Sequence, residues 1–265
     1  MEDQNPKRLN KSDRKPPQPP KKTGIGTSGF GDDDPQKEKW SSDVKKGLIL
    51  TKAKRAIISA VKEDGEDPDK NLLLKLAIKR AKSFHMPEVV IKNAIKTGAD
   101  KNFGVHYEKI VLNVHAPGGV DMLIEGLTED KNRSTAEIRN FLNKNGCVIA
   151  NSGSTTCIFD KRGYIAINKS KADEDILMEK VLKIGADDFK IKGDLLEIIC
   201  KPNILMSLVN VFEQQSLPIQ IAELMMIPNL TVDLPKIEAQ KIKNILNSLN
   251  DRDDVQNVYI NGKFD

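Results

Sequence analysis

The chain has little of what would place it among secreted, metal-bound or membrane-spanning proteins. Of its 265 residues only three are cysteine, at 147, 157 and 200. No two form a CxxC pair, which argues against a disulfide framework and a structural zinc site and suits a reducing compartment. Apolar runs are short, as at Met122 to Ile124 or Leu224 to Ile227. A spanning helix needs about twenty such residues, so no membrane insertion is expected. Aromatic residues make up 5% and histidine occurs three times, at 85, 106 and 115. None of these histidines has a carboxylate or cysteine at ligand spacing, and they are expected to be ordinary structural residues.

Hydrophobic residues at 38% and charged residues at 30% describe a globular protein with solvated sequence attached. The length makes two or three domains the expectation. A net charge of +4 means little until it is divided along the chain. Residues 1–39 carry +2, residues 40–101 carry +6 and residues 102–265 carry −4. A polyanion would therefore be drawn to the second segment.

Residues 1–39 hold the run Lys15-Pro-Pro-Gln-Pro-Pro-Lys-Lys, four glycines between 24 and 31, and Asp32 to Asp34. This composition predicts a disordered tail. It starts Met-Glu-Asp, unlike an Arg-rich, acid-poor transit peptide. From Ser42 to Asp64, Leu50, Ala53, Ile57, Ala60 and Val61 recur at helical spacing. Asp67-Pro68 reads as cap and first residue of a second helix bearing Leu73, Leu76, Ala77, Ala81 and Phe84. Pro87 opens a third, which Gly98 is expected to close.

Basic residues decorate this predicted bundle. Lys45, Lys52, Arg55 and Lys62 recur on one side of the first helix, and Lys75, Lys79 and Lys82 on one side of the second. Lys46, Lys54, Arg80, Lys92 and Lys96 complete the cationic set. Each could neutralise a phosphate, a contact that carries no base information. Lysines on a helix face also serve solubility alone, and charge pattern does not separate the two uses. Trp40 could stack on a base or simply sit in a linker.

After Phe103 the period shortens. Ile110, Leu112 and Val114, the turn Pro117-Gly-Gly, then Val120, Met122 and Ile124 predict a hairpin. Ser134-Thr-Ala-Glu137 reads as a capping box opening a helix that Asn145-Gly146 ends. Strands at 147–150 and 155–159 follow. Over 163–221 the order is strand, helix, strand, strand, helix, strand, the βαββαβ arrangement called ferredoxin-like, with Gly193-Asp194 at its central turn and Pro202 starting its second helix. A strand at 223–227, a helix at 235–249 and a strand at 255–260 remain. Joined with 105–150 they predict a second such unit, into which the first is inserted. The expected fold is thus α+β: a disordered tail (1–39), a three-helix basic domain (40–102), an α/β domain from 103–154 plus 222–265, and an inserted α/β domain at 155–221.

Catalytic sets do not emerge. Ser134 is explained by its capping box, and Gly118-Gly119 lacks the Gly-Lys-Ser/Thr of a phosphate cradle. Lys131, Asn132 and Arg133 are read as donors preceding a helix N-terminus, where a phosphate could bind. No cofactor or metal is expected.

Several stretches resemble the YebC family of translational regulators: Lys-Lys-Gly at 45–47, Leu-Thr-Lys at 50–52, Gly-Glu-Asp-Pro-Asp-Lys-Asn at 65–71 and Ala-Lys-Ser-Phe-His-Met-Pro at 81–87. Further on, Ala-Pro-Gly-Gly at 116–119, Asp-Lys-Asn-Arg-Ser-Thr at 130–135 and Asp-Val-Gln-Asn-Val-Tyr at 254–259 agree in order. The resemblance implies a helical domain followed by two α/β domains, one inserted in the other. It also implies a monomeric, non-enzymatic factor whose partner is the ribosome or mRNA in a mitochondrion, by likeness to translational activators of cytochrome oxidase subunits. The alternative is a DNA-binding transcriptional regulator in the cytoplasm. Only Lys39-Trp40 echoes the basic stretch with which the family usually begins its first helix, so those phosphate contacts would be reduced.

Overall fold

The computed structural model describes residues 35–100, 104, 106–150, 158–168, 174–192, 195–215, 217 and 219–264. Of the tail predicted at 1–39, residues 1–34 lie outside them, as do the Gly193-Asp194 turn and the side chains of 35–44, Trp40 included, whereas residues 35–39 are helical, so the first helix starts seven residues ahead of the expected Ser42.

Three helices come first: α1 (Pro35–Asp64), α2 (Leu72–Ser83) and α3 (Glu88–Ala99). Ile57, Ile58, Val61, Leu74, Ala81, Ile91 and Ala94 close their common core. The second helix starts four residues later than the Asp67-Pro68 signal predicts. Asn71 caps it, its side chain accepting from the Leu74 N–H while its amide donates to the Ala60 and Gly65 carbonyls. Asp67 instead folds a turn, its carbonyl taking the N–H groups of Lys70 and Asn71. A buried asparagine with three partners outcompetes an exposed aspartate.

Two four-stranded antiparallel sheets follow. β1 (Glu108–Ala116) and β2 (Val120–Thr128) form the predicted hairpin, joined by a short 3-10 turn at Pro117–Gly119. Gly118 and Gly119 both have positive φ, and a Cβ on Gly118 would meet the Glu238 carboxylate at 2.6 Å. Next come α4 (Lys131–Lys144) and β3 (Val148–Ile149). The chain returns to this sheet only at its end, through α7 (Lys236–Asn250) and β9 (Val255–Ile260). The strand order is β3-β1-β2-β9. It keeps the spatial order and antiparallel alternation of the ferredoxin-like arrangement. Its last helix and strand are joined from the C-terminal end rather than after the first strand, so the chain order differs from βαββαβ. Ile110, Val114, Met122 and Ile124 pack against Ile138 and Leu142 of α4 and Ile242, Ile245 and Leu249 of α7.

Between β3 and α7 the chain builds the second sheet: β4 (Phe159–Asn168), α5 (Glu174–Ile184), β5 (Ala186–Lys192), β6 (Leu195–Cys200), α6 (Leu205–Gln214) and β7 (Ile219–Pro228). The order β5-β6-β4-β7 is ferredoxin-like in both space and chain. Two predicted breaks are absent. The strands expected at 217–221 and 223–227 are one strand, paired with β4 from Ile219 to Pro228. Phe159 belongs to β4 together with 163–168, and the rest of the strand expected at 155–159 lies mostly outside the described residues. Pro202 sits in a turn ahead of α6, whose N-cap is Ile204. A parallel pair, β8 (Val232–Asp233) and β10 (Gly262–Lys263), ties off the end.

No helix among the described residues is long and apolar enough to cross a membrane. Residues Trp40–Asp265 form one compact unit. α2 shows why. Leu74 and Ala81 face the helical core, whereas Leu76, with Leu72 beside it, enters the core of the second sheet.

Candidate nucleic-acid interface

The cations singled out by sequence divide into two groups. Lys52, Arg55, Lys79 and Arg80 point inward, against the sheets. Arg55 is the most engaged: its guanidinium donates to Asp253 Oδ2 at 2.6 Å, Asp254 Oδ1 at 3.1 Å and the Asp253 carbonyl at 2.8 Å. It also lies 5.5 Å from the centre of the Tyr107 ring. Burial works against its charge, but Asp253 and Asp254 outweigh burial and its pKa rises. Lys52 Nζ donates to the Asn250 carbonyl at 2.6 Å. Lys79 pairs with Glu213 on α6. Arg80 pairs with Glu223 on β7 at 3.4 Å and donates to Asn257 Oδ1 on β9 at 3.2 Å.

The second group points outward. Lys45, Lys46, Lys54, Lys62, Lys82, Lys92 and Lys96 are exposed and Lys75 is half-buried. Lys82 and Lys92 share Glu88 at 3.9 and 4.0 Å. Lys45, Lys46, Lys54, Lys75 and Lys96 have no acidic partner among the described residues. The stripe predicted along α1 is thus split. Its middle members, Lys52 and Arg55, are docked, and its ends, Lys45 and Lys62, are exposed.

Lys131, Asn132 and Arg133 form the first exposed turn of α4 rather than a loop ahead of it. The N-cap is Asp130, whose Oδ1 accepts the Arg133 N–H at 3.0 Å. That carboxylate already places negative charge at the helix N-terminus. Ser134 is therefore no cap. It is buried, donating to Asp254 Oδ2 at 2.6 Å and lying 2.6 Å from Thr128 Oγ1. The sequence pattern hid this pair because the capping-box spacing accounted for Ser134 locally, while its partner lies far along the chain.

His115 is not isolated either. The hairpin register sets it opposite Asp121, with Nδ1 2.5 Å from Oδ1. Asn257 and Tyr259 both donate to Glu125 at 3.3 Å. Burial and then Glu125 hold the Tyr259 phenol protonated well above the usual range. Among the described residues no group of three or more His, Cys, Asp or Glu side chains is arranged to hold a metal.

Comparison with known proteins places this architecture. A conserved hypothetical protein of Aquifex aeolicus, known from a crystal structure, superposes with a TM-score of 0.76 at 33% identity, covering 83% of this chain and 91% of its own. A probable transcriptional regulatory protein from Caldanaerobacter subterraneus is 38% identical over 225 residues, 84% of this chain and 93% of its own. Another so named, from Koribacter versatilis, is 39% identical over 228 residues, 86% and 92% of the two lengths. Residues 35–101 match the TACO1/YebC protein N-terminal domain and residues 107–262 match the TACO1/YebC second and third domain. With nearly the whole described structure covered by these two matches, the chain belongs to the TACO1/YebC family.

Proposed function

We propose that this chain is a non-catalytic regulator of gene expression that grips the phosphate backbone of a nucleic acid through the outward lysines of its helical segment. The observation that carries this reading is the division of charge. The segment from 40 to 101 holds +6 in a chain of +4, and five of its lysines, Lys45, Lys46, Lys54, Lys75 and Lys96, have no acidic partner among the described residues. Cations left without partners are the ones that can exchange counterions for phosphates. The inward group, Lys52, Arg55, Lys79 and Arg80, is already engaged with residues of the sheet-bearing segments.

Two kinds of nucleic acid fit. The names of the bacterial relatives support DNA and transcription, and the cytoplasm as the compartment. The make-up of the surface fits RNA or the ribosome as well as it fits DNA. Lysines contact phosphate without reading bases, and a mitochondrial translation factor would use them in the same way.

One experiment addresses both. Binding of the full chain to a structured RNA, to ribosomal particles and to duplex DNA is measured over a salt series, for the natural protein and for a variant carrying Lys45→Glu, Lys54→Glu, Lys75→Glu and Lys96→Glu. Loss of four phosphate contacts should flatten the slope of log affinity against log salt by roughly 3 to 4. An unchanged slope sinks the proposed surface. A duplex that resists excess RNA competitor assigns the protein to transcription, and cosedimentation with ribosomal particles assigns it to translation.

A further inference from the structure

β5 ends its sheet, with β6 on one side and no strand on the other. At the opposite end of that sheet, β7 is packed against α2. From Asp188 to Lys192, β5 pairs with β6 without a break, so its outer side presents a regular run of backbone N–H and C=O groups. Side chains along the strand divide between two faces. Phe189 and Ile191 stand opposite Ile198 and Leu196 of the core, on the face that carries the helices. Asp188 and Lys190 belong to the other face, where Lys190 stands opposite Glu197.

Beside this edge lies an uncovered apolar strip. α5 joins β5 through Gly185 alone and packs against it. Leu177 and Val181 bury its inner side, and the buried stripe continues through Ile184 on one flank. Met178 and Leu182, one turn apart on the other flank, are 44% and 47% exposed, and Ile191 is 51% exposed. Apolar side chains scattered singly over a surface are ordinary, but three along the margin of one open edge form a contact surface.

The charges on β5 say what covers it. Asp188 and Lys190 form an ion pair of 2.6 Å within the chain, and both are exposed enough to meet a second partner. Antiparallel pairing of this strand with its own copy, Phe189 opposite Phe189, sets Asp188 opposite Lys190 twice over. A shift of two residues either way opposes like charges, Asp188 to Asp188 or Lys190 to Lys190. A shift of one residue brings the core face of one copy onto the open face of the other. One register is selected, by a strand that complements itself.

We propose that this margin binds a second copy of the chain, β5 pairing antiparallel with β5 about a two-fold axis so that the sheet continues from one copy into the other. Such an interface uses the same patch on both copies. The axis keeps both sets of helices on one face, so Met178 and Leu182 of the two α5 helices face each other across it. Ile191 then lies diagonal to Phe189 of the second copy. Main-chain hydrogen bonds and the apolar strip hold the pair, and the four charges set its register. This departs from the monomer that the family resemblance implies, and it uses none of the outward lysines.

Sedimentation equilibrium of the full chain, from about 1 to about 300 μM, reads the oligomeric state over the range of modest interfaces. A reversible monomer–dimer equilibrium is expected. Met178→Glu combined with Leu182→Glu should weaken it by roughly a hundredfold. Ile237→Glu, at an exposed apolar residue of α7, should leave it unchanged. Asp188→Lys and Lys190→Glu should each weaken self-association by about tenfold, because each turns two attractive cross-strand pairs into two repulsive ones. Mixed together, these two variants should associate as well as the natural chain does, since every opposed pair in the mixed dimer joins a lysine to an acid. Recovery on mixing cannot come from a variant that failed to fold. A chain that stays monomeric throughout the range overturns the proposal, as does a dimer that these variants leave intact. So does a pair of charge variants that remain apart when mixed.

Discussion

Arg55 and Asp254 expose only 13% and 14% of their side chains, and between them they connect the helical segment to the turn before β9. In that setting the pair matters less for its mutual attraction than for what either charge would suffer alone. Arg55→Met keeps the apolar stem and removes the guanidinium, leaving Asp254 dehydrated with only Ser134 to donate to it. The expected loss is about 2 to 4 kcal/mol, well beyond that of an exposed ion pair. Urea unfolding of Arg55→Met beside Lys109→Met, whose partner Glu63 is more exposed, checks this. Equal small losses in the two would show that Asp254 is adequately hydrated. This is also where sequence reasoning stopped short. The identity of Arg55 as a cation was plain, but nothing local said it faced an acid 199 residues away. Helical spacing assigned it to a basic face, and the same spacing is satisfied by a face that docks.

Elements were more legible than partners, and the exceptions have physical causes. β7 looked like two strands because its apolar phase slips: Ile219 and Ala222 are three apart yet both pack on the same core. The slip is a bulge, marked by the register shift between Ala166 and Ile167 in the facing β4. A change of face by bulge and a break in the chain leave the same trace in a sequence. Gly98 is a second case. It reads as a helix terminator, but it is buried inside the last turn of α3, where a Cβ would lie 2.7 Å from Val61 Cβ and 3.0 Å from the Ile58 carbonyl oxygen. The glycine is there so that α3 can approach α1. Gly98→Ala should therefore destabilise the protein by about 1 to 3 kcal/mol through overpacking, although alanine is the better helix former by about 1 kcal/mol. A denaturant midpoint that rises in this variant would mean that α3 can shift to accept the methyl group.

At the scale of the whole molecule, two kinds of contact hold the helices to the second sheet, and magnitudes decide between them. Lys79–Glu213 and Arg80–Glu223 are partly exposed pairs, each worth about 0 to 1 kcal/mol. Leu76 is 6% exposed and buried in the core of that sheet, where truncation to alanine costs about 2 to 5 kcal/mol. The apolar anchor should dominate. Two consequences can be measured together by hydrogen exchange. In Leu76→Ala, amides of α2 and of the β7 edge should exchange faster, while α1 and α3 stay protected by their own contact through Ile57, Ile58, Val61, Ile91 and Ala94. In a Lys79→Ala, Arg80→Ala double variant the change should be much smaller. In the natural protein, 1 M salt should then leave the protection pattern nearly unchanged, even though a Debye length of about 3 Å removes most of the attraction between such pairs. If salt instead released α2 from β7, the ionic contacts would be the principal hold. The salt dependence of nucleic-acid binding would then mix phosphate contacts with domain opening. A salt-insensitive junction leaves that dependence to the outward lysines alone, which is the condition under which its slope counts phosphates.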